Sequence, residues 1–187
     1  VLPLFWKNDC QITKENKLEL ESLRIGEFEH FFATSIFFHL PSFINHHLSL
    51  MTPKETAEFM FGKDLFSQWL GIELIDIKEN YCFLKMPIKS EMINGLGTVH
   101  GGVTFAFADS ALAFSSNNSG EAAVALSCYI NFTKAAKNGD ILTAESILLN
   151  DTRKTAVYDI TIKNQNDDVV AGFRGTVYKI GKKVIDL

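Results

Sequence analysis

From residue 51 onward, apolar and polar positions alternate with two different periods. Thr52 to Gly62 and Asp64 to Trp69 read as short helices that stop before Gly71, the first opened by an N-cap threonine with proline at the first helical position. Ile72 to Lys78 and Tyr81 to Pro87 read as two strands joined at Glu79-Asn80. Lys89 to Val99 is a loop, with Asn94-Gly95 and Gly97 as its turn signals. Gly101 or Gly102 then opens a helix that runs to about Asn117 or Asn118 and is stopped by Gly120. Four strand-like runs follow: Ala123 to Phe132, which is almost continuously apolar, then Ile141 to Leu149, Thr155 to Lys163 and Val169 to Ile180. The short connections between them require antiparallel pairing, and the expected order is β-β-helix-β-β-β-β.

The central helix has no polar face. Between Gly101 and Gly120 its only ionisable residue is Asp109, while Phe105, Phe107, Ala108, Ala111, Leu112, Ala113 and Phe114 cover most of its circumference. A helix apolar nearly all round must be buried nearly all round. One antiparallel sheet curled around one long helix meets that need, which makes the expected class α+β and leaves a sheet edge or helix flank for a second subunit.

Composition changes the picture mainly at the N-terminus. Four of the five histidines and seven of the sixteen phenylalanines fall in the first fifty residues, which show no sustained amphipathic period. Residues 1–50 therefore read as an extension lacking the domain's pattern, disordered or packed on a partner, or as an over-extended reading frame whose start is Met51. The break in composition favours the second reading, with one domain over residues 51–187. The net charge of −4 gives no electrostatic footprint for nucleic acid or an anionic membrane. Nor is there a run of eighteen apolar residues, or a basic region followed by an apolar one as in a secretory signal. Cys10, Cys82 and Cys128 have neither disulfide nor zinc spacing, so a reducing cytoplasm is the expected setting and no metal site is expected.

Three features of the helix carry chemistry. A carboxylate at Asp109, in apolar surroundings, has a perturbed protonation equilibrium and is a functional candidate, although a satisfied structural role or a place at a subunit contact also fits. Gly101 and Gly102 leave the helix N-terminus open to close approach, with unpaired amides and the positive end of the dipole aimed outward. That arrangement suits an oxyanion hole, and tight helix–strand packing explains the glycines equally well. His100, the one histidine after residue 51, either lines the site or holds the loop through a backbone carbonyl. Eight residues separate Gly101 from Asp109, about 12 Å along a helix. One acyl carbon cannot touch both on the same helix, so a joint role predicts a dimer with two shared sites.

The run His100-Gly101-Gly102-x-x-Phe105-x-x-Ala108-Asp109-Ser110-Ala111-x-Ala113, with Asn94 before it and Asn117 after it, resembles the active-site helix of the phenylacetate-pathway thioesterases. These are hotdog-fold proteins related to bacterial 4-hydroxybenzoyl-coenzyme A thioesterases. The resemblance continues through Ile130-Asn131-Phe132, Gly139-Asp140-x-Leu142-x-Ala144, Val157-Tyr158-Asp159-Ile160 and Phe173-Arg174-Gly175. It implies the hotdog fold, hydrolysis of acyl- or aryl-coenzyme A thioesters such as phenylacetyl-coenzyme A, no cofactor, and a homodimer that commonly pairs into a tetramer. It further implies that Asp109 is base or nucleophile, that the Gly101 amide polarises the thioester carbonyl, that Asn94 and His100 line the reacting end, and that Ser110 helps place water. Gly102, Phe132, Lys134 and Arg174 are the expected contacts to substrate and coenzyme A. The family's Arg-Pro pair is replaced here by Thr133-Lys134-Ala135, so the phosphate contact at Lys134 is a point charge without a bidentate fork. A non-catalytic acyl-coenzyme A-binding module predicts loss of the carboxylate, and Asp109 is present. A hotdog dehydratase needs a histidine paired with a carboxylate, and His100 sits at the helix entry instead.

Overall fold

The computed structural model describes residues 51–187, so the expectations for residues 1–50 lie outside the described residues. Helix α1, Pro53–Lys63, begins with a reciprocal capping box: the Glu55 amide donates to Thr52 Oγ1, and the Thr52 amide donates to Glu55 Oε2 at 2.8 Å. Asp64 ends α1 and starts α2, Leu65–Leu70, where its Oδ1 accepts from the Ser67 amide. The strands are β1 (Glu73–Lys78), β2 (Tyr81–Pro87), β3 (Glu121–Phe132), β4 (Ile141–Asp151), β5 (Thr155–Lys163) and β6 (Val169–Lys183). Between β2 and β3 runs the long helix α3, Gly101–Asn117.

All strand pairs are antiparallel, in the order β1-β2-β4-β5-β6-β3. The sheet curves around α3, which touches β2, β3, β4, β5 and β6, while α1 covers β1 and the C-terminal half of α3. Alternation fixes which face looks inward. On β5, Ala156, Tyr158, Ile160 and Ile162 are buried and their neighbours half-buried. On β6, Ala171, Phe173, Gly175 and Val177 face α3, and Arg174 and Tyr178 face away. Leu112 of α3 presses so closely on β6 that a Cβ added at Gly175 would lie 2.5 Å from Leu112 Cδ2. Glycine is what allows the helix to sit this deep in the sheet.

Polar groups at the far end of α3 are all used. Asn118 is fully buried; its Oδ1 accepts from the Asn80 amide, and its Nδ2 donates to the carbonyls of Lys78 and Tyr81. Tyr158 Oη donates to Asn80 Oδ1, so the β1–β2 hairpin, which turns through Asn80 at φ 57°, is locked to the helix end and to β5. Ser115 donates to the Ala111 carbonyl and meets Ser146 Oγ at 2.7 Å. No buried side-chain nitrogen or oxygen among the described residues lacks a partner.

The expected strand over the apolar run is present as β3, and among the described residues it lies at the edge of the sheet and pairs with β6 alone. Val124, Leu126, Tyr129 and Phe132 are each more than half exposed. Among the described residues nothing covers that apolar surface.

Candidate active site

Asp109 lies midway along the one flank of α3 that the chain leaves uncovered. Gly102, Ala106, Asp109 and Ala113 recur at helical spacing along it and are exposed or half-buried, whereas Phe107, Ala108, Ser110, Ala111, Leu112 and Phe114 are buried. The Asp109 carboxylate makes no hydrogen bond or ion pair with any described residue. Burial alone pushes its pKa above the ordinary aspartate value. Its electrostatic neighbour is Cys128, which faces the helix from β3 opposite Gly175 and whose thiol is itself pushed up, first by burial and then by Asp109. The sequence reading missed Cys128, although stepping back by twos from Phe132 through Ile130 puts it on the same strand face.

The N-terminus of α3 is prepared by the loop before it. Asn94 Oδ1 accepts from the amides of Leu96 and Thr98, and its Nδ2 donates to Thr98 Oγ1 at 3.0 Å. Asn94 therefore builds the turn that presents His100, and most of its hydrogen-bonding capacity is spent there. His100 is the N-cap: its Nδ1 accepts from the Gly102 amide at 2.9 Å, and its backbone amide donates to the Met92 carbonyl. Of the two glycine amides, Gly102 is thus occupied by His100. The Gly101 amide has no partner among the described residues. A Cβ added at Gly101 would lie 3.3 Å from the Phe132 ring, so that ring closes over the helix entry. Gly101, Phe132 and Lys134 border one hollow of about 290 Å³, together with Thr98, Thr104 and Val170. Lys134 is exposed there and paired with Asp168 at 2.6 Å.

Two expected residues stand apart. Ser110 is turned from Asp109 toward α2, where its Oγ meets Ser67 Oγ at 2.9 Å. Ser67 Oγ donates to Asp64 Oδ2, so the Ser110 hydroxyl must be the donor to Ser67. Within one chain Ser110 fastens α2 to α3 rather than holding water beside Asp109. Arg174 is on the outer face of the sheet, opposite the side on which Phe173 packs edge-to-face with Phe105 of α3. Its guanidinium is forked onto Asp159, with both contacts at 2.6 Å, and does not join the Gly101 hollow. Among the described residues no three histidine, cysteine, aspartate or glutamate side chains are grouped to hold a metal, and no helix is long and apolar enough to cross a membrane.

The sequence pattern of the thioesterase superfamily matches residues 96–171, from the loop before α3 to the first residues of β6. The acyl-coenzyme A thioesterase PaaI of Escherichia coli strain K12 is 39% identical over 127 residues, covering 68% of this chain and 91% of that protein. The chain belongs to the thioesterase superfamily. The solved structure of the E. coli PaaI protein superposes on this thioesterase with a TM-score of 0.69 at 37% identity, over 70% of this chain and 95% of that one. A Streptococcus mutans protein solved with acetyl-coenzyme A gives a TM-score of 0.58 at 29% identity, over 59% and 90% of the two chains. The architecture is the hotdog fold of these proteins, one central helix in a curved, unclosed antiparallel sheet.

Proposed function

We propose that the chain hydrolyses acyl-coenzyme A thioesters, adding water across the carbonyl carbon–sulfur bond to release a carboxylic acid and the free thiol. The observation that carries this reading is a carboxylate, Asp109, with no partner among the described residues, on the open flank of a helix whose first amide, Gly101, is also unclaimed by them. The amide polarises the thioester oxygen and stabilises the oxyanion that forms on it. Asp109 acts in its ionised form, either by deprotonating water or by attacking the carbon to give an anhydride that water opens. Both routes require the two groups about 3 Å from one carbon, which their separation along α3 forbids within one chain. Each site therefore takes Asp109 from one subunit and Gly101 from the other. The open flank of α3 and the exposed apolar edge of β3 supply the surface for that homodimer, and pairing of dimers into a tetramer follows from the resemblance to the phenylacetate-pathway thioesterases alone.

His100 fixes the first turn of the helix, Phe132 walls the entry, and Lys134 offers a charge to the coenzyme's phosphates. An aryl or other apolar acyl group of the phenylacetyl type is the substrate, consistent with the likeness to PaaI, and a reducing cytoplasm is where coenzyme A esters are met. Thiol release from a set of acyl-coenzyme A esters tests the reading. Asp109→Asn should lower kcat by at least a hundredfold while leaving the dimer intact. A variant within threefold of wild type would remove Asp109 from the mechanism.

A further inference from the structure

Helix α2 exposes an aromatic surface. Leu65, Phe66 and Trp69 are 75%, 54% and 62% exposed on a six-residue helix that carries no charge, and Phe66 and Trp69 stack with ring centroids 6.0 Å apart. Such a surface opposes solubility, yet three separate contacts hold the helix rigidly in place. Asp64 caps its start, Ser67 joins it to Ser110 of α3, and Lys89 reaches across from β2's far end to donate to the Trp69 carbonyl at 2.7 Å.

Those contacts also fix which way the aromatic surface looks. At about 100° per residue, Ser67 and Leu70 form the buried face of α2, with Gln68 on one flank and Phe66 and Trp69 on the other. Gln68 donates to the Phe61 carbonyl at the end of α1, and Phe61 in turn packs on Phe114, one turn beyond Ser110 toward the C-terminus of α3. The aromatic flank therefore turns away from α1, toward the half of α3 that carries Asp109 and begins at Gly101. The 2.9 Å Ser67–Ser110 contact limits the distance. Adding two serine side chains and one backbone step on each side, Phe66 and Asp109 have Cα atoms no more than about 15 Å apart. With both side chains reaching inward, the gap that remains is at most about the length of a hexanoyl chain or an arylalkyl group.

We propose that Phe66 and Trp69 form the distal wall of the acyl pocket and set a preference for acyl groups of about six carbons, or an aryl equivalent, over acetyl. This rests on the hydrolase reading above and names the specificity residues of that site. The occupant is a neutral apolar group because no charged residue lies on α2 and Asp109 is the only one on α3.

The full chain, as wild type, Trp69→Ala, Phe66→Ala and Trp69→Phe, would be assayed on acetyl-, hexanoyl-, octanoyl- and phenylacetyl-coenzyme A. Each methylene that reaches the wall should raise wild-type kcat/KM about fourfold. The hexanoyl-to-acetyl ratio of kcat/KM should fall at least tenfold in both alanine variants and stay largely intact in Trp69→Phe. Ratios within twofold of wild type in both alanine variants would overturn the inference. So would an equal loss on all four esters together with a changed molecular mass in solution, which would mark the surface as a subunit contact. A wild type inert on every ester fails the hydrolase reading itself, whereas an active wild type with unmoved ratios fails only the assignment of α2.

Discussion

Asp109 is costly to fold around. Its carboxylate is half-buried without a donor among the described residues, and desolvation raises its pKa. The folded chain therefore holds that proton more tightly than the unfolded chain does. Stability is highest below the unfolded pKa, falls as pH rises toward the raised folded value, and at neutral pH carries the full penalty. Asp109→Asn should raise the melting temperature at pH 7 and have little effect on it at pH 3, as read by thermal melts at both values. The same shift acts on turnover, because the ionised form does the chemistry. The acid limb of kcat/KM should have its midpoint above the ordinary aspartate value, and it should vanish from the residual activity of Asp109→Asn. Gly101 differs, since alanine there keeps the amide but sets a methyl 3.3 Å from the Phe132 ring. Gly101→Ala should lower kcat about tenfold with a smaller change in KM, because a displaced donor harms the transition state most. Steady-state kinetics on one accepted ester separates the two parameters, and a pure KM effect would assign Gly101 to packing.

At the level of elements, the period of the sequence reported most of the fold. β2 and β5 have the expected bounds, α3 starts at Gly101, and α3 ends just before Gly120, whose φ of 88° suits only glycine. These elements are legible because their apolar residues are buried by their own chain, so the period records the burial. β3 is the expected strand too, but its place at the sheet edge was not legible, because apolar character on an open surface looks the same in sequence as apolar character toward the core. The site was legible to a similar degree. Asp109 and the glycines stand out by type, but Ser110's attachment to Ser67, Lys134's pairing with Asp168 and Arg174's fork onto Asp159 all join residues far apart in the chain. No local pattern announces such pairs. The Asn118 knot is of the same kind, and its weight can be measured. Asn118→Ala leaves the Asn80 amide and two carbonyls unpaired at the end of α3, so urea unfolding should show a loss of about 3 kcal/mol. A loss below about 1 kcal/mol would mean that water replaces the side chain there.

At the scale of the whole molecule, the shared site makes a prediction that no single chain can meet. Chains carrying Asp109→Asn and chains carrying Gly101→Val should each be nearly inactive alone. Coexpressed in equal amounts, about half of the dimers are mixed, and each mixed dimer holds one site with both native residues. About a quarter of wild-type activity should return. If Asp109 and Gly101 of one chain served the same site, no mixture would recover anything, so the assay decides between the two arrangements. The strand order has a further consequence, for the time at which the fold can first exist. β3 is made directly after α3, but its one partner among the described strands is β6, which is translated only after β4 and β5. About fifty residues must be added in between, a few seconds to about ten at ordinary ribosomal rates. Throughout that interval the nascent chain carries a helix apolar on almost every side and a strand with both edges bare. A chain stopped before Val169 therefore keeps the edge of β3 that β6 would cover bare, and a bare strand edge is a template for pairing with another chain.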